Sequence, residues 1–402
     1  MPATGSPTPL LDVPAARGGC PFDPPPAYGQ ARHEHPVARV RLWDGTESWM
    51  LTRHEDIRTV LRDRRFSADA RRAGFPFLTE GRKALTTDHP TFIRMDDPEH
   101  ARLRRMLTAD FMIRKVETLR PQVERLAGEL LDAMTEGRHE ADLVAEFALP
   151  LPSVVICVLL GVPYSEHAFF QRCSSTMLRS DASPQEVTGA QKELLDFLAE
   201  LARAKRADPD DGILSRLAQE GELDDDEIAS MGRLLLVAGH ETTANMTALS
   251  VAALLQNPRE LARMRAAGPQ ETEAAVEELL RYLSVVQGGV ARVATEDVEV
   301  GGTLIRAGEG VLCMLNEANR DEDAFPGADE LDLARPGSRR HLAFGFGVHQ
   351  CLGQPLARLE LRVAIPALLR RLPGLRLAVP FEELPFRHDM LVYGVHRLPV
   401  AW

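Results

Sequence analysis

Two short stretches of this chain carry residues that can do chemistry. The first is Phe344-Gly345-Phe346-Gly347-Val348-His349-Gln350-Cys351-Leu352-Gly353, which holds one cysteine in a glycine-punctuated loop. A helical pattern follows at once, so free backbone N–H groups should point at the sulfur and favour the thiolate. A thiolate there can ligate a metal at one open position. Gly345 and Gly347 permit conformations that other residues resist. Gly353 lets a flat partner approach the backbone, and Phe344 can shield the sulfur from water. The second stretch, Ala238-Gly239-His240-Glu241-Thr242-Thr243, sets a carboxylate beside a hydroxyl within an apolar helical pattern. A glycine costs about 1 kcal/mol in a helix interior, and a buried carboxylate costs more unless partnered. Polar residues kept at that cost point to a site. An acid next to an alcohol is a plausible proton relay.

The elements that must position these residues can also be read. Asp224 is a helix cap, with Glu227 at capping-box spacing. The pattern then runs to Gln256 and stops at Asn257-Pro258. That helix would extend roughly 50 Å and should cross the middle of a domain. Asp97-Pro98 opens a helix that places His100 and Arg104 on one face. Helical patterns also cover 114–136, 191–206, 271–283 and 353–371. Residues 37–52 read as a hairpin turning at Asp44-Gly45, and 293–312 as short strands around a Gly301-Gly302 turn. The last 25 residues read as short strand-like pieces.

Composition excludes several classes. The 402 residues carry 47 Lys plus Arg against 59 Asp plus Glu, a formal net charge of -12. Nucleic-acid binding needs a basic face and is not expected. Five scattered cysteines without a CxxC pair argue against a disulfide framework or a zinc cluster, and for a reducing compartment. Cys157, in an apolar run, reads as an inert buried thiol. No signal peptide or membrane span is expected, so the cytoplasm is the expected location.

An isolated cysteine in a turn is most often inert, and His349 with Cys351 offers too few ligands for zinc. The ten-residue constellation favours a metal that brings its remaining ligands. Haem iron does, and cysteine thiolate is a known haem ligand. On these residues the chain resembles the bacterial, actinobacterial-type cytochromes P-450, the haem-thiolate monooxygenases. The Phe-Gly-x-Gly-x-His-x-Cys-Leu-Gly pattern is complete, and the other motifs follow in order, so the resemblance covers nearly the whole chain.

The resemblance implies a mainly α fold with a small β portion, a single domain whose long central helix crosses over haem b. Residues 1–30 would be a Pro/Gly-rich N-terminal segment and 31–402 the haem domain. Cys351 would bind iron, and Ala238 and Gly239 would form the dioxygen groove, Gly239 leaving room for the ligand. Glu241 and Thr242 would relay protons. His100, Arg104, Arg292 and His349 would hold the propionates. Glu278 and Arg281, joined by Arg320, would form a buried structural pair.

Without a flavin or nicotinamide motif, electrons would come from ferredoxin and ferredoxin reductase, docked on Arg102, Arg105, Arg358 and Arg362. Residues 67–92 read as a long irregular loop over the distal face. Its Phe75, Phe77 and Leu78, with Arg71, Arg72, Arg82 and Lys83, suit an apolar substrate with an acidic or polar end. Phe75, Val286, Gly289, Val290 and Leu391 are expected in the substrate pocket. The expected activity is hydroxylation of a natural product, such as a polyketide, macrolide or sterol-like compound, by a monomer. Broad xenobiotic oxidation and peroxide-driven chemistry on the same fold are the alternatives.

Overall fold

The longest helix begins where the sequence places its cap. In the computed structural model, which describes residues 10–88 and 90–402, the Asp224 carboxylate accepts from the Glu227 N–H at 2.8 Å. The Glu227 carboxylate accepts in return from the Asp224 N–H at 3.2 Å. The helix Asp225–Gln256 then runs 32 residues, about 48 Å. Every residue from Thr243 to Leu254 is buried. A helix apolar on all sides belongs inside a domain, and the helices Pro150–Leu160, Pro184–Ala207 and Gln354–Arg371 pack around it.

Among the described residues the strands form one six-stranded sheet and two smaller ones. In the larger sheet Val37–Arg41 and Glu47–Leu51 make the expected hairpin, with Val37 opposite Leu51. Gly45 takes φ +82° at the turn, and Asp44 accepts from the Thr46 N–H. Glu47–Leu51 runs parallel to Gly310–Cys313, which pairs antiparallel with Val290–Ala294 and so carries Arg292 inward. Val298–Val300 and Thr303–Ile305 form the short hairpin over Gly301-Gly302. The C-terminal pieces are sparser than expected: the strands there are Arg376–Leu377 and Pro399–Ala401. No described helix is long and apolar enough to cross a membrane.

Three expectations change. The 114–136 pattern is two helices, Ile113–Glu117 and Arg120–Thr135. Pro121 lacks an N–H and suits only the first turn of a helix, so it forces a new start. The 67–92 stretch is not an irregular loop, since it holds the helix Glu80–Asp88; residue 89 lies outside the described residues. The segment 10–30 is part of the fold. Leu11–Asp12 adds parallel to Val37–Arg41, Phe22 and Tyr28 are buried, and the helix Pro26–Glu34 crosses the expected boundary. Residues 1–9 lie outside the described residues.

Candidate functional site

The cysteine loop is built by its glycines. Gly345 and Gly347 take φ +69° and +74°. A Cβ on Gly347 would stand 2.4 Å from the Leu61 carbonyl oxygen, so no larger residue fits. This turn lets the Cys351 N–H donate to the Phe344 carbonyl at 2.9 Å, and the helix Gln354–Arg371 starts directly after Gly353. The Cys351 side chain opens onto an internal cavity of about 360 Å³ rather than into packing. A Cβ added to Gly353 would meet nothing within 4 Å, which leaves open space beside the sulfur. Burial pushes the Cys351 thiol up, against the pull of the Gly353 and Gln354 N–H groups and of Arg104 and Arg358. The helix N–H groups are therefore present as expected but do not win alone. A bound cation at the sulfur would favour the thiolate.

The central helix lines the same cavity with Ala238, Gly239 and Thr242. Thr242 Oγ1 donates to the Ala238 carbonyl at 2.8 Å, and the helix continues through it without a break. Glu241 is buried, not solvated. Its Oε2 accepts from Arg387 Nη1 at 2.9 Å, and Asn245 Nδ2 donates to the Glu241 carbonyl at 2.7 Å. Sequence reasoning missed both partners. Asn245 was visible at helical spacing, whereas Arg387 comes from a distant loop without a local signal. Gly239 lines the cavity as expected and also serves helix packing. A Cβ there would stand 2.9 Å from Ile156, so its lack of a side chain lets the Pro150–Leu160 helix pack close. His240 is fully buried, its Nδ1 2.7 Å from the Leu236 carbonyl; burial pushes it down and leaves it neutral.

At another edge of the cavity stands His349, whose ring meets that of His100 with centroids 3.9 Å apart and planes tilted by 36°. His100 Nδ1 meets Asp97 at 3.0 Å. His100 Nε2 and His349 Nδ1 are buried, and neither has a partner among the described residues. Burial, with Arg292, His100, Arg104 and Arg94 around it, pushes His349 down to about 2. The ring is neutral at physiological pH and offers an N–H but no charge. Among the described residues Arg292 donates only to its neighbour's carbonyl, Ala291 O, at 2.8 Å. Arg104 donates to the Gln350 carbonyl at 2.7 Å, beneath the cysteine. A single thiol, open space for a flat group, two orphaned ring nitrogens and an arginine free of acids fit a planar cofactor with anionic arms. That is haem, not a bare ion. Among the described residues no three His, Cys, Asp or Glu side chains gather to hold a metal.

A family model described as Cytochrome P-450 matches residues 28–268 and 270–374. The chain belongs to the cytochrome P-450 family. It is 65% identical over 398 residues to Cytochrome P-450-SU2 of Streptomyces griseolus, covering 99% of this chain and 98% of that one. Pentalenic acid synthase of Streptomyces avermitilis is 48% identical, covering 95% of each chain, and Vitamin D3 dihydroxylase of Streptomyces griseolus is 44% identical over the full length of both. The crystal structure of GfsF superposes with a TM-score of 0.92 at 46% identity, covering 98% of this chain and all of that one. CYP105P1 in complex with filipin I superposes with a TM-score of 0.89 at 41% identity, covering 98% and 99%. The cofactor is accordingly haem and the co-substrate dioxygen, in a cytochrome P-450 monooxygenase.

Other expected residues can be placed on this P-450 frame. Val286, Gly289, Val290 and Phe344 line the main cavity. Phe75 lines a smaller chamber beside it. Leu391 lines neither. Its backbone is spent on Leu178 and Gln287, which turns it into a strut. Glu278 and Arg281 are a fully buried bidentate pair with both bonds at 2.8 Å. The third member is Arg335, whose Nε donates to Glu278 at 3.1 Å. Arg320 does not join: it serves the Phe22 and Tyr282 carbonyls and Asp329. The proposed basic patch also shrinks. Arg358 is held by Glu277 and Arg362 by Glu273, both only about 15% exposed, which leaves Arg102 and Arg105.

Proposed function

We propose that the protein is a ferredoxin-dependent monooxygenase that hydroxylates a C–H bond of a lipophilic natural product, such as a polyketide, macrolide or sterol-like compound. The observation that carries this reading is one cavity lined by both Cys351 and Thr242, with Glu241 buried beside Thr242. When bound, haem supplies the iron that activates dioxygen. Cys351 ligates it, His100 and His349 donate to its propionates, and Arg104 and Arg292 balance their charge. Phe344 and Leu352 keep water from the sulfur. The names of the pentalenic acid and vitamin D3 enzymes, and the filipin I complex, support a lipophilic natural product. The same reading has the enzyme working as a monomer in the cytoplasm.

Thr242 and Glu241 carry the proton chemistry. Rotation of Thr242 Oγ1 away from Ala238 turns its proton to the cavity. Glu241, held in place by Arg387 and Asn245, takes up a proton from water and hands it on toward Thr242. Thr242→Ala should keep consuming electrons while product per electron falls several-fold. Glu241→Gln should slow turnover by roughly 10²-fold, the scale of general acid–base catalysis. Retained coupling and rate in both variants would contradict the relay.

Electron delivery uses the face beneath Cys351. Arg105 stands exposed there on the helix Glu99–Thr108, beside Arg102, which is exposed but paired with Glu227 at 3.0 Å, with the apolar Met112 and Ile113 nearby. An acidic ferredoxin would be steered by the charges. Arg102→Glu with Arg105→Glu should slow ferredoxin-supported reduction at low salt, and the deficit should close as salt screens it. Unchanged low-salt rates would remove this docking site.

A further inference from the structure

The cavity has an arginine end that the haem does not explain. Arg94, in the short turn Phe92–Arg94, lines both the main cavity and the side chamber. Arg82, on the helix Glu80–Asp88, lines the side chamber alone, with Phe75, Leu78, Thr86 and Gly288. The Arg94 guanidinium lies over the Phe75 ring, 5.3 Å from its centroid, which fixes its orientation. Neither guanidinium has an ion pair or a hydrogen bond among the described residues. Burial pushes both down, Arg94 to about 9 with Arg82 and Arg292 adding to the effect. Both side chains are half-buried, and a guanidinium drawn partly out of water without a counter-charge is costly.

A count of charges shows what is missing. Arg82, Arg94, Arg104 and Arg292 bring four guanidinium groups to this end of the cavity. The two haem propionates take two. Asp96, whose charge acts on Arg292, already accepts from Ser67 and the Ala68 N–H and faces Arg72 at 3.6 Å. Two guanidinium groups remain, and Arg82 lies off the main cavity where the propionates would sit. The side chamber is about 30 Å³. That is room for a couple of water-sized atoms, and so for the oxygens of a carboxylate but not for a ring.

We propose that Arg82 and Arg94 form an anion-recognising end of the substrate cavity, and that the substrate is a lipophilic organic acid. Its apolar body lies in the main cavity against Leu234, Leu235 and Val286. Its carboxylate enters the side chamber, where the planar arginine forks suit two-point recognition. Phe75, Phe77 and Leu78 then close over the head group rather than over the oxidised carbon. The acid group thus acts as an anchor that sets which carbon faces Thr242. This inference rests on the monooxygenase reading of the cavity.

The test titrates the haem-loaded protein with phenylacetate, naphthylacetate and dodecanoate, each against its primary amide, by haem spin shift and by calorimetry. At least one acid should bind roughly 10-fold or more tightly than its amide. Arg82→Gln and Arg94→Gln should each weaken that acid by roughly 10- to 100-fold, the worth of a charged hydrogen bond, and leave the amide unchanged. No acid preference in any pair, including no binding at all, overturns the proposal. An arginine variant that loses haem instead of acid affinity overturns the assignment of that arginine. A carbon monoxide spectrum of each protein separates the two levels. A thiolate band without acid preference refutes this inference alone, whereas a missing band refutes the function it rests on.

Discussion

Arg281→Met is expected to destabilise the fold by roughly 3–5 kcal/mol, the cost of removing one partner of a buried ion pair. Arg281 and Glu278 have no solvent exposure. Arg281 also donates to the carbonyls of Asn319, Ala328 and Glu330, and its loss leaves these without their donor. Glu278 would keep Arg335, Ser338 and the Asp332 N–H, but it would lose its bidentate partner. A domain is stable by only about 5–15 kcal/mol, so a large share of its stability rides on this one side chain. The urea midpoint of the haem-loaded variant measures it. Arg320→Met should act separately, because Arg320 serves a different set of carbonyls. A loss below about 1 kcal/mol for Arg281→Met would mean that the pair is worth no more than a surface one.

Cys351→Ala is expected to abolish dioxygen-dependent turnover while leaving the fold in place. The loop is held by its backbone: the Cys351 N–H on Phe344 and the positive-φ glycines do not depend on the sulfur. Circular dichroism should therefore be unchanged. Cys351→His should restore a ligand and bind haem, yet return neither coupled turnover nor a thiolate spectrum, because imidazole does not supply the electron push of a thiolate. Residual coupled hydroxylation in Cys351→Ala would move the metal ligand elsewhere.

Sequence reasoning reached whatever was local. The Asp224 capping box, the hairpin at Gly45 and the Phe344–Gly353 loop each depend on residues a few positions apart, and each stands as read. It failed where a partner comes from far along the chain. Arg387 reaches Glu241 across 146 positions, and Arg358 reaches Glu277 across 81. The first partner makes the acid half of a buried ion pair, and the second removes an arginine from the docking face. The family resemblance places Arg320 with Glu278 and Arg281. In fact it is the Asn319 carbonyl that accepts from Arg281, while the Arg320 side chain points the other way. Gly239 has a second role that no local pattern shows, since Ile156 on another helix also packs into the room its missing side chain leaves.

The arginine end of the cavity shows the same limit from the other side. In the sequence Arg82 is one of four positive charges in the 67–92 stretch, with Arg71, Arg72 and Lys83, and Arg94 lies outside it. Their meeting around Phe75 depends on a helix folding back within a stretch that reads as loop. The distal wall is therefore more specific than its composition suggests. The site as a whole has a thiol on one wall, an alcohol on another, and guanidinium groups at one end.

The central claim is that Cys351 binds haem iron as a thiolate. A carbon monoxide difference spectrum of the reduced, haem-loaded protein tests it most directly. The account predicts the long-wavelength band that gives the cytochrome P-450 family its name, lost in Cys351→Ala. A band at the shorter wavelength of histidine- or thiol-ligated haem in the native protein would contradict it.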